Sequence, residues 1–243
     1  MNRGRALLPF LSVSAGIMIF SMMDALMKSA SLEVGVYTAV LWRSGIGVLL
    51  MLPFWWLGRV QWPDGPVLRI HALRSIVVAV MIMLFFWGLV RMPMAEAMAL
   101  SFIAPLITLY LAAAILGEQV RATAVVGSLL GTLGVCVIAL GQFGDDRATA
   151  SGWGLAAVLA SAVLYAWNLI PQRQQARLSG PVEVALFQHL FVGLVPVPAA
   201  PWLATVPPTG AFRDIAAGAL LAAVSLMLLS WGYARAEAQA LVP

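Results

Sequence analysis

Long apolar runs separated by short polar turns occupy this chain from its first residues to its last. The runs lack the alternating pattern that a membrane β-barrel strand shows over about ten residues. Most of them reach the roughly 20 residues that a helix needs to cross a hydrocarbon layer of about 30 Å. The pattern predicts an all-α polytopic membrane bundle of about eight spans: Ala6–Met23, Val34–Gly58, Ser75–Val90, Ala97–Gly117, Ala122–Gly144, Ala148–Gln172, Val184–Phe212 and Ile215–Ala234.

The polar stretches between these runs predict the connections. The first helix is expected to end near Asp24 and Lys28, and Arg59–Arg74 is expected to form the longest loop. The sixth helix is expected to end at about Pro171. The outer half of the seventh span is expected to break, because proline removes a backbone N–H donor. The prolines concerned are Pro196, Pro198 and Pro201.

Composition excludes a soluble globular domain. Of the 243 residues 62% are hydrophobic and 10% are charged, whereas soluble domains are about one quarter charged. The single cysteine, Cys136, excludes a disulfide within the chain and a cysteine-based metal site. No metal and no cofactor are expected.

The basic charges predict the orientation in the membrane. With a cytoplasmic N-terminus, the inner side receives nine of them: Arg3, Arg5, Arg59, Arg69, Arg74, Arg121, Arg173, Arg177 and Arg235. The outer side receives Lys28, Arg91, Arg147 and Arg213. An excess of arginine and lysine on the cytoplasmic side is what sets membrane topology. The net charge of +4 therefore reflects topology, and no nucleic-acid partner is expected.

A short motif occurs twice. Trp87-Gly88-x-x-Arg91 recurs 144 positions later as Trp231-Gly232-x-x-Arg235. A period of this length suits a five-helix half of a transporter with inverted repeats. The repeat predicts a first half over 6–141, a connecting loop over 142–151 and a second half over 152–243.

The same offset relates polar residues inside apolar spans. It places Asp24 opposite Asn168, and an offset of 146 places Arg43 opposite His189. Ionisable groups within a membrane are costly, about 2.5 to 3.5 kcal/mol at a helix centre on insertion scales, so they indicate function.

Several motifs together give the chain a family resemblance. They are Met22-Met23-Asp24-Ala25, Leu41-Trp42-Arg43, Ala95-Glu96-Ala97, Ala104-Pro105, Leu116-Gly117-Glu118 and Arg235-Ala236-Glu237-Ala238. With the predicted topology, the chain resembles the drug/metabolite transporter superfamily, in its ten-helix branch built from two EamA domains. The resemblance implies a ninth and a tenth helix, whereas the chain stops at Pro243. The second repeat is therefore expected to be incomplete, as in a truncated product.

Arg43 is the leading candidate for a binding residue, and two interpretations stay open. It pairs with Asp24 to hold the first two helices together, or it faces a cavity and holds an anionic part of a substrate through two parallel hydrogen bonds. His189 either takes up and releases a proton during transport or packs in the core. Glu96 either complements the positive end of the fourth helix or takes part in proton coupling, and Glu118 is expected to be structural.

Four further residues are candidates for lining a cavity. Asn168 and Gln188 are polar residues in apolar spans, and Tyr165 and Trp167 offer rings for stacking against a planar substrate. Core packing or anchoring at the membrane interface is the alternative for each of them.

These observations favour a secondary transporter of small organic metabolites or drugs in the bacterial cytoplasmic membrane. Binding near the midplane and alternating access between the halves follow from the resemblance and the repeat. Coupling to protons or to exchange is expected, because no phosphate-binding GxxxxGK[ST] loop is present. The alternatives are a non-transporting scaffold or sensor and, with less support, a membrane-embedded enzyme. The sequence does not predict the oligomeric state.

Overall fold

The computed structural model describes residues 3–235, apart from 102, 105–106, 109, 112–125, 128, 132, 135–136 and 138–147. Every regular element among these residues is helical, as predicted. The helices are α1 (Arg3–Val34), α2 (Val36–Leu57), α3 (Gly65–Leu89), α4 (Met94–Ser101), α5 (Ala148–Leu178), α6 (Pro181–Leu194), α7 (Ala200–Leu203) and α8 (Thr209–Tyr233). A 3₁₀ turn, Val197–Ala199, lies between α6 and α7.

Six helical stretches in the described part of the chain are long and apolar enough to cross a membrane. They are Leu7–Val34, Val36–Leu57, Gly65–Leu89, Gly152–Leu178, Pro181–Leu203 and Thr209–Tyr233. The predicted polytopic membrane helix bundle is therefore confirmed. The described residues between 103 and 137 are also helical and belong to the predicted fourth and fifth spans. Pro105, Gly117, Glu118 and Cys136 lie outside the described residues, as does the segment 138–147.

The predicted turn after Met23 is wrong. α1 continues through Asp24 and Lys28 and ends at Val34, and a single residue, Gly35, separates it from α2. Gly35 has a φ of 81°, a backbone conformation that glycine adopts without a steric penalty. The charged residues did not end the helix because Asp24 interacts electrostatically with Arg43 of α2.

Two further helix ends differ from prediction. α3 begins at Gly65 and not at Ser75, so most of the predicted loop Arg59–Arg74 is helical. α5 continues past Pro171 to Leu178. In both places the polar residues that suggested a loop are buried within the bundle: His71, Arg74, Gln172, Arg173 and Gln175.

The predicted break at the prolines is confirmed. α6 ends at Leu194, and the 3₁₀ turn and the one-turn helix α7 follow through Pro196, Pro198 and Pro201. The chain from 204 to 208 has no regular secondary structure before α8 begins at Thr209. The predicted seventh span, Val184–Phe212, is therefore not one continuous helix.

The chain divides into two compact units. The boundaries of these units differ from those of the predicted repeats. Unit 1 comprises 1–79 and 171–243, and unit 2 comprises 80–170. In unit 1, α8 lies antiparallel to α1, because Gly232 contacts Val13 and Gly218 contacts Met27. We denote the side of unit 1 where α1 begins as its near side and the side where α1 ends as its far side.

Candidate functional site

Arg43 lies in the second turn of α2 and is almost fully buried, with 4% of its surface exposed. Its Nη1 donates to Sδ of Met23 on α1 at 3.6 Å. Its charge also interacts with Asp24, the next residue of α1. The structure therefore brings together the two residues that the sequence paired. A cation at this depth is costly unless other groups compensate its charge, and Asp24 supplies part of that compensation.

His189 of α6 faces the same stretch of α2. A Cβ atom at Gly47 would lie 2.4 Å from Nδ1 of His189, so only glycine leaves room for the imidazole ring. Arg43 stands one helical turn before Gly47 and interacts electrostatically with His189. Gly193, one turn after His189, leaves similar room for Ser44. We name Asp24, Arg43, Ser44 and His189 the central cluster.

Three polar atoms in this part of unit 1 are buried without a hydrogen-bond partner among the described residues. They are Oγ of Ser44, Oε1 of Gln188 and Nε2 of His189. An unsatisfied buried polar atom costs about 1–3 kcal/mol. A polar ligand or water that reached these atoms would remove that cost. The central cluster therefore combines a buried cation, an acid and open hydrogen-bonding capacity.

The remaining candidates, Tyr165, Trp167, Asn168 and Glu96, lie in unit 2. Asn168 is buried on α5, while 45% of Trp167 is exposed. Tyr165 packs against the small buried residues Ala104, Ala162 and Ala166. Their predicted part in lining a binding cavity stays a prediction. Glu96 is half-buried in the first turn of α4, the predicted position at a helix N-terminus.

The two copies of the Trp-Gly-x-x-Arg motif have the same local geometry. Nη1 of Arg91 donates to the carbonyl of Trp87 at 2.7 Å, and Nη1 of Arg235 donates to that of Trp231 at 3.1 Å. Each guanidinium also lies over the ring of its own tryptophan, at 3.5 Å and 4.3 Å from the centroid. Such a cation–π contact fixes an arginine at a helix end.

The motif glycines also make equivalent contacts, each inside its own unit. In unit 2, a Cβ at Gly88 would lie 2.6 Å from Cγ2 of Val158 and 2.7 Å from the carbonyl oxygen of Gly154. In unit 1, a Cβ at Gly232 would lie 2.5 Å from Cγ2 of Val13 and 3.1 Å from the carbonyl oxygen of Pro9. The partners are themselves 145 positions apart, Val13 with Val158 and Pro9 with Gly154.

A serine hydrogen bond extends this match. In unit 2, Ser161 of α5 donates to the carbonyl of Met81 on α3. In unit 1, Ser225 of α8 donates to the carbonyl of Gly16 on α1. Gly16 and Ser161 are 145 positions apart, and Met81 and Ser225 are 144 apart. Equivalent positions of the repeat are thus hydrogen-bonded in both units. The serine donor stands at the first of the two positions in unit 2 and at the second in unit 1.

A second polar group, at the near side of unit 1, was missed by the sequence analysis. His71 of α3 is fully buried, and its Nε2 lies 3.1 Å from both Oγ of Ser179 and Oε1 of Glu183. Its Nδ1 is bonded to Nε2 of Gln175, whose Oε1 accepts from Arg74. We name these five residues the near-side network. One sequence signal could have revealed this network: Gln175, Ser179 and Glu183 follow one another at intervals of four positions.

No group of three or more His, Cys, Asp or Glu side chains in the described part of the chain is arranged to hold a metal ion. Each of the two polar groups instead holds one arginine and one acid beside neutral donors and acceptors. Their chemistry is that of binding small polar or charged groups.

Comparison with known proteins places these features in a family. Residues 8–140 match the EamA-like transporter family. A probable terminal-alkyne amino-acid exporter from Streptantibioticus cattleyicolor is 33% identical over 156 residues, which are 62% of this chain and 50% of that protein. The chain thus spans about half the length of this relative.

A solved crystal structure has the same fold. It superimposes with a TM-score of 0.72 at 20% identity, covering 95% of this chain and 80% of the other. At that identity the likeness concerns the fold alone. The family match extends over more than half of the chain and contains α1 to α4, with Asp24, Arg43 and the first Trp-Gly-x-x-Arg turn. The chain is an integral membrane protein that belongs to the EamA-like transporter family.

Proposed function

We propose that this protein is a secondary transporter that moves a small zwitterionic metabolite, of the amino-acid class, across the membrane. The central cluster carries the proposal. It holds a buried arginine and an acid beside Ser44 and His189, both of which have buried polar atoms without a partner among the described residues. These atoms offer hydrogen bonds to a polar substrate beside the two charges.

The substrate class follows from the charges of the cluster. The guanidinium of Arg43 is suited to a carboxylate, which it binds through two parallel hydrogen bonds. Asp24 is suited to an ammonium group, so the pair matches both charges of an α-amino acid. The similar protein from Streptantibioticus cattleyicolor is named as a probable amino-acid exporter, and its name favours the same class and export as the direction.

Alternating access between two inverted repeats is the proposed mechanism. The repeats are the halves 6–141 and 152–243. The matched geometry of the two Trp-Gly-x-x-Arg turns and of the contacts at Gly88 and Gly232 supports this division. The substrate binds between helices near the midplane, with Arg43 and His189 each in the second or third turn of its helix.

We also propose the bacterial cytoplasmic membrane, with the near side of unit 1 facing the cytoplasm. The excess of arginines on that side supports this orientation. Two of the arginines, Arg74 and Arg173, are buried within helices and count less toward it than loop residues do. Transport is driven by protons or by exchange.

Uptake or export of labelled amino acids by proteoliposomes tests the proposal. Arg43→Gln and Arg43→Lys should each lower transport at substrate concentrations well below saturation by about tenfold or more, since each 1.4 kcal/mol of lost binding is a factor of ten. Lysine keeps the charge but loses the paired donors. Transport by Arg43→Lys should therefore lie between that of the parent protein and that of Arg43→Gln.

Arg59→Gln is the matched control, because Arg59 is an exposed arginine just after the same helix, α2. It should transport like the parent protein. Transport retained in both Arg43 variants would overturn the binding role. A protein that binds no amino acid and shows no saturable transport would support the scaffold or sensor alternative instead.

A further inference from the structure

We propose that the near-side network is a proton-binding site, in which an added proton breaks the link between the near-side ends of α3, α5 and α6. This inference rests on the proposed transport function for its biological role. The network lies at the near-side end of these helices, apart from the central cluster, which occupies the second and third turns of α2 and α6. Its central members, His71 and Glu183, are both titratable and both buried.

The direction of each hydrogen bond follows from Arg74. A guanidinium has donors only, so the atom of Gln175 that accepts from Nη1 of Arg74 is the amide oxygen. The amide nitrogen of Gln175 therefore faces the imidazole and donates to Nδ1 of His71. That nitrogen of the ring must carry a lone pair.

The tautomer of His71 is then determined. A neutral imidazole carries one N–H, and here it is on Nε2, which lies 3.1 Å from Oε1 of Glu183. The hydroxyl of Ser179 donates to the same carboxylate oxygen at 2.7 Å. Glu183 in its ionised form thus accepts two hydrogen bonds, and bonds to a charged acceptor are about twice as strong as neutral ones.

An added proton has two places to go, and each one costs a bond. A proton on Nδ1 of His71 places two donors, the ring N–H and the N–H₂ of Gln175, against each other. Rotating the amide of Gln175 would relieve this clash but would lose the hydrogen bond from Arg74. On Glu183 the added proton removes the negative charge to which His71 and Ser179 donate. A proton on the ring strengthens its bond to Glu183 of α6 but loses the bond to Gln175 of α5. The link between α3 and α5 is therefore complete at high pH and weakens as the pH falls.

The surroundings leave few other groups that could take the proton. The charges that act on the His71 ring are Glu183 of α6 and Arg74 of its own helix. From α5 the ring meets the neutral Gln175, and Phe187 of α6 lies against it with ring centroids 5.1 Å apart. The added proton is therefore taken up by the His71–Glu183 pair itself.

The test is a distance measurement that needs no substrate. Spin labels replace two exposed arginines at the near-side ends of α3 and α5, Arg69 and Arg177, in a Cys136→Ala background in lipid nanodiscs. The distance between the labels is measured from about pH 8 to about pH 5, the range in which histidine titrates. We expect a short, narrow distribution at high pH and a longer or broader one at low pH.

Two variants separate a proton site from a merely structural contact. Glu183→Gln mimics the protonated acid and should give the low-pH distribution at every pH. Gln175→Glu offers Nδ1 of His71 an acceptor, so the doubly protonated ring fits between two carboxylates. That variant should keep the short distance at low pH.

Glu33→Gln, which changes an exposed acid on the far side of α1, should titrate like the parent protein. If Glu183→Gln does not assemble, Ser179→Ala takes its place. Ser179→Ala removes one donor to the Glu183 carboxylate, so the low-pH distribution should be more populated than in the parent protein at every pH.

A distance that does not change with pH, or one that changes equally in the parent and in Glu183→Gln, would overturn the proton site. The measurement is independent of transport. The distances can titrate as expected while amino-acid transport is absent, in which case the proton site stands and the proposed function fails. Transport that depends on Arg43 with pH-independent distances would show the reverse.

Discussion

The two ends of unit 1 are held together in different ways. At the far side, Tyr37, Thr38 and Trp42 of α2 donate to backbone carbonyls of Pro196, Leu203 and Thr205, in the segment where the prolines interrupt the α6 region. At the near side, side chains bond to other side chains, and the near-side network includes two titratable residues.

The difference follows from where each helix ends. The broken segment after α6 leaves carbonyls without helical partners, and neutral side chains satisfy them. α5 and α6 are instead joined by a tight turn at Ser179 and Gly180, where polar side chains come together in the interior. Only the near side should therefore respond to pH.

The largest effect is expected from breaking the near-side network. His71→Leu removes a donor to the ionised Glu183 and the acceptor of the Gln175 amide. A hydrogen bond to a charged group contributes about 1.5–3 kcal/mol and an unsatisfied buried group costs about 1–3 kcal/mol, so the combined loss is about 3–5 kcal/mol. The free energy of unfolding in mixed micelles at about pH 8 should fall by a similar amount. The loss should be smaller at about pH 5, where the network of the parent protein is already weakened.

Arg69→Gln is the control for that experiment, because Arg69 is exposed on the same end of α3. A surface change of this kind should alter stability by less than about 0.5 kcal/mol. An equal loss for His71→Leu at both pH values would contradict a charge-dependent near side.

An intermediate effect is expected in the middle of unit 1, between its two ends. Gly47→Ala forces a Cβ into the imidazole of His189, and overpacking of this kind costs about 1–3 kcal/mol. Gly45→Ala, two residues earlier on α2, meets nothing within 4 Å and should be neutral or stabilising by up to about 1 kcal/mol. Both are measured by thermal unfolding, with substrate binding as a second readout for Gly47→Ala. Equal melting temperatures would show that the contact at His189 adapts without cost.

The smallest effect is expected at the far side. Trp42→Phe keeps an aromatic ring against Phe212 and loses the 3.0 Å hydrogen bond to the carbonyl of Thr205. A neutral hydrogen bond contributes about 0.5–1.5 kcal/mol, and the loss should be the same at about pH 8 and about pH 5. A loss of stability in Trp42→Phe that changed with pH would contradict the view that the far side, unlike the near side, does not respond to pH.

The sequence predicts the existence of the spans and much of the polar pairing. Apolar runs longer than a bilayer is thick leave few alternatives to a helix, and prolines break a helix for a local reason. The proximity of Asp24, Arg43 and His189 was also accessible, because polar residues inside apolar spans tend to pair with one another.

The near-side network was not accessible in the same way. His71 and Arg74 lie beside turn residues and suggested a loop, and Gln172–Arg177 suggested a basic turn. Their partners come from helices about one hundred positions away along the chain, and no local pattern reports such a pairing.

The packing of α1 against α8 sets a delay during synthesis. Ser12 of α1 bonds to the carbonyl of Leu228, which is 216 positions later in the chain. At about 5–20 residues per second, that partner is made roughly 10–40 seconds after Ser12. During this time lipid or the insertion machinery must cover the α1 face that carries Ser12 and Gly16. Helix α1 thus meets α2 early and acquires its other neighbour, α8, only after this delay.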